Sequence, residues 1–303
     1  RTIVTIIGVI LSAAMITAVT TFASSIQNFL LEYAKSERGD WHARIDISNS
    51  ENLEDIINDK ALEQVSIVKS GGYAILEEGM NEYKPYLHIL ELDNKAMEAL
   101  PIYLIKGRFP ETPNEVMLSD HISYNGGVTY ELGDTISLEV GERTLDGYIL
   151  NQDNPYNHEE DGEAEAFQAS GRRTFNVVGF CDRLPYQIED FSAPGYSVFT
   201  TLDSDFTGDI DKRDLDLSIY VNLKKPREVY DLEKEYFKNF QIDKFTFNNK
   251  VLIYEGVSLI SGFNIVLKGL IIIIAGLIIV GSIALIYNSF SISISERSKQ
   301  FGL

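Results

Sequence analysis

The feature that most constrains this chain is an uncharged run near its C-terminal end. From Gly269 to Ser295 there are 27 consecutive residues without a charge. As a helix this run would extend about 40 Å, which exceeds the roughly 30 Å hydrocarbon core of a bilayer. A core helix of a soluble protein rarely stays apolar on all faces over that length. The run therefore predicts a membrane-spanning helix, and Glu296, Arg297 and Lys299 return the chain to water after it.

The residues before this run predict that the same helix begins earlier. The segment from Val251 to Lys268 mixes apolar residues with the charged Glu255, and no proline lies between Asn249 and Leu303. Sharp breaks in helices arise mainly at proline or at insertions into the hydrogen-bond ladder. The pattern therefore predicts one unbroken helix that runs from a water-exposed stalk through the membrane.

The N-terminal end carries a second uncharged run, 30 residues from Thr2 to Leu31. A signal peptide is the alternative interpretation, with Ala23-Ser24-Ser25 as a cleavage site, but the run is too long for an apolar signal core of about 7–15 residues. A retained transmembrane helix is favoured. Small residues recur in it at four-residue spacing: Gly8 and Ser12, Ala13 and Thr17, Ala14 and Ala18. Such faces allow close packing in lipid, so we expect this helix to contact further transmembrane helices of a parent protein.

Basic residues outside the two runs predict the orientation in the membrane. Arg1 precedes the first run, and Arg297 and Lys299 follow the second. Because basic flanks stay on the cytoplasmic side, both termini are predicted to be cytoplasmic. The sequence thus predicts a multi-pass protein of the cell membrane with residues 39–248 outside the cytoplasm.

Composition limits the function classes. The formal net charge is −19, which argues against nucleic acid as a partner because phosphate binding depends on lysine and arginine. A single cysteine, Cys181, rules out a disulfide within the chain but not an extracytoplasmic location. The chain begins at Arg1 without methionine and stops at Leu303 just after a predicted helix, so we expect a piece of a longer protein.

Between the two runs the pattern predicts an α+β domain. Gly39 is expected to end the first helix, and Asp93 to cap a short one. Alternation predicts strands over 41–48, 65–76, 83–92, 134–140, 144–150, 217–223 and 242–247; helical spacing predicts helices over 53–57, 94–100 and 227–240. We expect a turn at Gly141-Glu142-Arg143 and a long mobile polar loop from Asn151 to Arg173.

These elements suggest two lobes in the domain outside the membrane. A mixed α/β lobe would consist of residues 39–115 with 216–248, and a β-rich lobe of residues 116–215 would be inserted into it. Residues 1–38 would form the first transmembrane helix and its stalk. Residues 249–303 would form the second stalk, the second transmembrane helix and the start of a cytoplasmic element.

Several segments together carry a family resemblance. The C-terminal run SFSISISERSKQFGL contains Ser293, Glu296, Arg297 and Gly302 at characteristic spacing. The segment IKGRFPETPNEVMLSD contains Gly107, Arg108, Pro110, Glu115 and Val116, and it is followed by Leu132-Gly133-Asp134 and by strand-like segments at 174–182 and 195–203. In these segments the chain resembles FtsX-like permeases of ABC transporters, the group that includes the MacB type.

The resemblance implies a role without an active site on this chain. A cytoplasmic ABC ATPase on a separate subunit would hydrolyse ATP, and this chain would carry the motion to an outer domain that acts on a peptide, lipoprotein or cell-wall partner. The alternative is a two-helix membrane receptor whose outer domain senses a ligand, since that topology is identical. A membrane-anchored hydrolase is a third interpretation.

No sequence motif predicts a catalytic, cofactor or metal site. There is no phosphate-binding Gly-x-x-x-x-Gly-Lys loop and no His-Glu-x-x-His pair. Gly195-Tyr196-Ser197 lacks the second glycine of a nucleophile elbow, because Phe199 stands there. The segment from Asp203 to Asp214 has near-calcium-loop spacing but is interpreted as a solvated turn, as is the acidic loop HEEDGEAEAF. The four histidines are predicted to be surface or packing residues: His42, His88, His121 and His158.

Overall fold

The protein is represented by a computed structural model that describes residues 2–48, 53–158, 162, 164–186, 188–203, 216–257 and 262–302. The chain forms two compact units. The first consists of Arg1–Tyr33 with Leu252–Leu303, and the second of Ala34–Val251.

The first unit is built from two long helices. Helix α1 spans Thr2–Arg38 and helix α7 spans Gly262–Phe301. Both contain windows that are long and apolar enough to cross a membrane, and only 6% of each window is buried within the molecule. The Ser12 hydroxyl, in the predicted small-residue stripe, is hydrogen-bonded to the Ser282 hydroxyl of α7.

The second unit is an α+β domain. Its strands are β1 Ala43–Ile47, β2 Leu62–Ile75, β3 Tyr86–Leu92, β4 Leu104–Gly107, β5 Glu115–Ser119, β6 Thr135–Leu145, β7 Tyr148–Leu150, β8 Ala166–Cys181, β9 Gly195–Thr201, β10 Leu217–Leu223 and β11 Lys244–Phe247. The helices are α2 Leu53–Ile57, α3 Asn94–Ala99, α4 His121–Gly126 and α5 Val229–Asn239, and α6 Asn249–Tyr254 follows β11.

All eleven strands join one sheet. The order is β11-β1-β10-β2-β3-β9-β5-β8-β6-β7, with β4 paired to β8. Most neighbours are antiparallel, whereas β3–β9 and β5–β8 are parallel. The predicted α+β class between two apolar helices is confirmed. The division into two lobes stays a prediction, since strands from both predicted lobes share this sheet.

Side chains on both faces of the sheet form the core. One cluster packs β2, β3, β5 and β9 through residues such as Leu87, Val116 and Val198. A second joins Trp41 and α3 to the sheet through Leu92 and Phe199. Helix α5 packs one apolar face against the domain, and Val229, Leu232 and Tyr236 on that face are buried.

Local signals at several element ends are confirmed. Helix α1 ends at Arg38, and Gly39 follows with a φ of 90°, in the left-handed region that glycine adopts without strain. The Asp93 side chain accepts a hydrogen bond from the Ala96 backbone N–H at 2.6 Å and caps α3. Pro226 begins a short 3-10 turn that leads into α5.

The predicted hairpin around Gly141 is wrong. Strand β6 continues through Gly141 with a bulge, because the backbone of Gln168 on β8 approaches so closely that only glycine fits. The turn lies at Asp146-Gly147, whose φ angles of 52° and 80° match a two-residue hairpin loop. The predicted polar loop is also too long, since β8 begins at Ala166.

The predicted unbroken helix from the stalk into the membrane is wrong as well. Helix α6 ends at Tyr254, and Gly256 adopts a φ of 79°. The N–H of Gly256 donates to Ile253 O at 3.0 Å, and the N–H of Val257 donates to Leu252 O at 2.9 Å. These two bonds form a Schellman motif, which terminates a helix at a glycine without any proline.

Candidate functional site

A cleft of about 520 Å³ opens on one face of the sheet, entirely within the second unit. Its floor consists of side chains from β1, β10, β2, β3 and β9: Arg44, Asp46, Ser218, Tyr220, Val68, Ser70, His88, Leu90 and Ser197. Two further groups of residues line it, at 151–153 and at Leu184, Ile188 and Glu189. The volume lies within the roughly 300–1,000 Å³ range of small-ligand sites.

The floor of the cleft is polar and internally hydrogen-bonded. Arg44 Nη2 lies 3.0 Å from Asp46 Oδ2, and the Ser218 hydroxyl donates to Asp46 Oδ1 at 2.8 Å. The Ser70 hydroxyl lies 3.2 Å from His88 Nε2. Burial lowers the pKa of His88 to about 4, so its imidazole is neutral at pH 7.

Acidic side chains outnumber basic ones around the cleft. The acidic lining residues are Asp46, Glu142, Asp153, Glu189, Asp216 and Asp243, and the basic ones are Arg44 and Lys244. Burial raises the pKa of the Asp216 carboxyl, and the neighbouring Asp46 carboxylate raises it further. Arg44, Lys244 and Lys84 pair with Asp46, Asp153 and Glu189. The excess negative charge of the cleft therefore comes from Glu142, Asp216 and Asp243, and it favours a cationic group.

One wall of the cleft is anchored by the buried carboxylate of Glu189, which is only 2% exposed. Lys84 Nζ lies 3.1 Å from Glu189 Oε1, and the Ser197 hydroxyl donates to the other oxygen. Arg183 and His121 lie 3.5 and 3.6 Å away. Burial disfavours the charged form, but the contacts with His121, Lys84 and Ser197 outweigh it and hold the pKa of Glu189 at about 2.

A second buried ion pair fixes the loop on the other side. Arg143 is fully buried and contacts Glu165 through two hydrogen bonds of 2.8 and 2.7 Å. Its guanidinium also donates to the carbonyl oxygens of Asn151 and Asn154. The described part of the loop predicted to be mobile is thus tied to β6, and it holds Asp153 at the rim of the cleft.

The motif residues between Gly107 and Val116 lie on β4, on β5 and in the segment between them, and none of them lines the cleft. Arg108 donates to both carboxylate oxygens of Glu115, at 2.9 and 2.5 Å, and this hydrogen bonding lowers the pKa of Glu115 to about 2. Gly107 has a φ of 83°. Pro110 O accepts a hydrogen bond from the Thr201 hydroxyl at 2.9 Å, while Val116 is buried in the core.

The four histidines make separate contacts in the domain. His42 Nδ1 accepts a hydrogen bond from the Leu223 N–H at 2.9 Å, and His158 packs edge-on against Tyr83. His88 lines the cleft and His121 contacts Glu189. Within the residues that the structure describes, no group of three or more acidic, histidine or cysteine side chains could hold a metal ion.

Two predicted solvated segments lie wholly or partly outside the described residues. The calcium-like segment from Asp203 to Asp214 lies outside them apart from Asp203, and so does the centre of the loop HEEDGEAEAF. The hydroxyl of Ser197, in the segment that resembles part of a nucleophile elbow, donates a hydrogen bond to the Glu189 carboxylate.

Sequence reasoning missed Glu189, Arg143 and Asp216, which shape the cleft. None of these residues lies in a motif, and their partners are distant in the chain. Lys84, for example, precedes β3, whereas its partner Glu189 lies between β8 and β9. The only local signal was a charged residue in an otherwise apolar or strand-like setting, as for Arg143 within β6.

No family model matches the sequence, and no curated protein matches it. Solved structures do. The periplasmic region of MacB from Actinobacillus actinomycetemcomitans aligns over 76% of this chain and 98% of its own, with a TM-score of 0.41 and 9% identity. The extracellular domain of the ABC-type transporter YknZ from Gram-positive bacteria aligns over 68% and 100%, with a TM-score of 0.37 and 9% identity. In these comparisons the chain is similar to extracytoplasmic domains of MacB-like permeases.

Proposed function

We propose that this chain is part of an ABC transporter permease: a first transmembrane helix, an outer domain and a second transmembrane helix. The family pattern in the sequence carries the proposal, and the two exposed apolar helices, one before and one after the α+β domain in the chain, agree with it. Two residues of the family pattern, Arg108 and Glu115, are hydrogen-bonded to each other in the domain. In this proposal both termini are cytoplasmic and residues 39–248 lie outside.

In this proposal, ATP hydrolysis and the transmission of motion lie on different subunits. A separate cytoplasmic ATPase hydrolyses ATP, and this chain transmits the resulting motion through the membrane. The outer domain then acts on a peptide, lipoprotein or cell-wall partner. The acidic lining of the cleft favours a cationic segment in that partner, because Asp216 would gain a counter-ion there.

Co-purification of an ATPase through a tag on this chain tests the proposal. The family pattern at the C-terminal end predicts that Arg297→Ala reduces recovery of the ATPase, whereas Lys299→Ala, outside the pattern, does not. ATP hydrolysis measured in the purified complex should follow the recovered ATPase. Recovery of a sensor kinase instead, with no ATPase, would favour the receptor alternative.

A further inference from the structure

Three segments of the sheet domain meet at one end of its sheet. Strands β3 and β9 are parallel and both begin at this end, while β2 and β5 end there. The segments are 76–85, 120–127 and 182–194, and we refer to their described residues as the tip. The opposite ends of β3 and β9 pack against Trp41, which follows α1. The tip therefore lies about 20 Å, the length of a seven-residue strand, from the point where α1 ends.

Hydrogen bonds join the three segments of the tip. The Met80 N–H donates to Gly126 O at 2.9 Å. The Lys84 ammonium donates to Ala193 O at 2.7 Å and lies 3.1 Å from the Glu189 carboxylate. Both partners of this salt bridge are buried. The tip is therefore one connected surface rather than three independent loops.

The tip exposes large apolar and aromatic side chains. Five of them are more than half exposed: Met80, Tyr83, Tyr124, Tyr186 and Phe191. The rings of Tyr186 and Phe191 stack on each other, with centroids 5.8 Å apart and an angle of 10° between the ring planes. Exposed apolar surface of this kind is typical of docking sites, in which aromatic residues and methionine are enriched. The tip is therefore a candidate docking surface.

Every exposed charged side chain in the described part of the tip is acidic. These residues are Glu77, Glu78, Glu82, Asp120, Asp182 and Asp190. Lys84 and Arg183 lie 3.1 and 3.5 Å from the buried Glu189 carboxylate, and their side chains are only 4% and 19% exposed. Because these two cations contact a carboxylate inside the domain, the outer surface of the tip has an excess of negative charge. Such a surface attracts a positively charged partner.

One ring of the tip already contacts a cation. The Arg183 guanidinium lies 4.7 Å from the centroid of the Phe191 ring. Ring faces attract lysine and arginine through the quadrupole of the ring, and neighbouring carboxylates attract the same groups. Rings and carboxylates together favour a partner in which basic side chains lie beside apolar ones, and they disfavour an acidic partner.

We propose that the tip binds a cationic amphipathic peptide segment of an extracytoplasmic partner. Lysine or arginine side chains of that segment contact the exposed carboxylates and ring faces, and its apolar side chains pack against Met80 and the rings. This inference rests on the proposed function for placing the tip outside the cytoplasm, and it names the chemistry of the partner. The tip adjoins the cleft through Glu189, but none of its exposed side chains named above lines the cleft.

Peptide binding to the complete chain in nanodiscs of zwitterionic lipid tests the inference. The probe is a fluorescent helical peptide with lysines on one face and leucines on the other, and the matched probe has glutamate in place of each lysine. Empty nanodiscs correct for binding to lipid. The tip variant combines Tyr124→Ala with Phe191→Ala. The controls are Phe237→Ala, an exposed ring on α5, and Asp216→Asn in the cleft.

The lysine peptide should bind about tenfold or more tightly than the glutamate peptide, and added salt should weaken its binding. The tip variant should lose about tenfold in affinity, because two ring contacts are removed. Phe237→Ala should bind as the unaltered chain does, and protection of β3 amides from hydrogen exchange serves as the control for folding. Loss in the tip variant supports the inference whether or not Asp216→Asn also weakens binding.

Equal affinity for the two peptides, or unchanged affinity in the tip variant, would overturn the inference. A loss confined to Asp216→Asn would place the site in the cleft and would overturn it as well. Recovery of an ATPase separates this inference from the proposed function. If the ATPase co-purifies but the tip variant binds as the unaltered chain does, the inference fails and the proposed function stands. If the tip binds the lysine peptide and no ATPase is recovered, the proposed function fails and the binding surface stands.

Discussion

Helices α1 and α6 end in the same way, but their ends are held differently. Both α1 and α6 are followed by a left-handed glycine, Gly39 with a φ of 90° and Gly256 with a φ of 79°. A Cβ on Gly39 would lie 2.5 Å from Ala99 O, whereas a Cβ on Gly256 would meet no heavy atom of the described residues within 4 Å. The end of α1 is embedded in a packed core, whereas the described part of the chain constrains Gly256 through its backbone conformation.

This difference teaches that a terminating glycine alone does not decide how firmly a helix end is held. The end of α1 combines the glycine with hydrogen bonds from Tyr103, Trp41 and Asn248. The end of α6 combines it with the Schellman bonds and the cap from Gln27. The following changes should act unequally on the two ends.

The largest effect is expected for Trp41→Ala, which removes the buried anchor beside α1. Losing a buried aromatic side chain costs about 3–5 kcal/mol in the free energy of unfolding. Denaturant unfolding of the purified protein in detergent, followed by circular dichroism, measures it. Phe237→Ala on α5 is the control, since Phe237 is 53% exposed and its loss should cost little. A loss below about 1 kcal/mol for Trp41→Ala would contradict the anchoring role.

Acid should lower the free energy of unfolding of the domain that holds α1, because Glu189 loses its charge. The pKa of Glu189 lies at about 2 in the folded protein and near 4.5 without its partners. The stabilisation is therefore complete above about 4.5 and is lost as the pH falls towards 2, up to about 3 kcal/mol. Unfolding measured across this window should show the decline, and Glu189→Gln should flatten it while lowering stability at pH 7. An unchanged pH dependence in Glu189→Gln would contradict the assignment.

The two glycines offer a direct comparison. Gly39→Ala should cost roughly 2–3 kcal/mol, because the left-handed conformation is strained for alanine and its methyl group meets Ala99 O. Gly256→Ala should cost only the conformational strain, about 1–2 kcal/mol, and Gly256→Asn less, since asparagine tolerates that conformation. Hydrogen exchange at Asp40 and at Val257 reports on the two ends. Equal losses at both ends would contradict the difference drawn between them.

The smallest effect is expected for single hydrogen bonds. Tyr103→Phe removes the donor to Ser36 O and should cost about 0.5–1.5 kcal/mol, measured by denaturant unfolding. Tyr186→Phe, at a residue that is 54% exposed, provides the control. Stability unchanged in Tyr103→Phe would show that this bond does not fasten α1.

Much of the fold follows from local sequence signals. The end of α1 at Gly39 and the cap of α3 at Asp93 were predicted because a single residue type decides each of them. Strands with strict alternation, such as β1 and β10, were also predicted, because one face of each is buried.

The wrong predictions have specific physical causes. Gly141 resembled a turn residue, yet it serves the close approach of β8, which only the sheet pairing reveals. The Asp146-Gly147 signal for a hairpin was present and was overlooked. The absence of proline did not predict the break at Gly256, because a glycine in the left-handed conformation also ends a helix.

The cleft could not be predicted from sequence. Its floor combines strands that are distant in the chain, such as β1 and β9, and the charges of Glu189 and Arg143 acquire meaning only through partners across the fold. Local patterns predicted the elements, while the site depends on the strand order of the sheet.

The most direct test of the central claim, that the chain crosses the membrane twice with its sheet domain outside, is thiol labelling on intact cells. The background is Cys181→Ala, although burial and the charge of Glu189 already raise the pKa of Cys181 and make it a poor nucleophile. Single cysteines replace Met80, which is 82% exposed in the domain, and Ser298 after the second apolar run. A membrane-impermeant maleimide should label Met80→Cys on intact cells and Ser298→Cys only after lysis. Labelling of Ser298→Cys on intact cells, with Met80→Cys protected, would contradict the account.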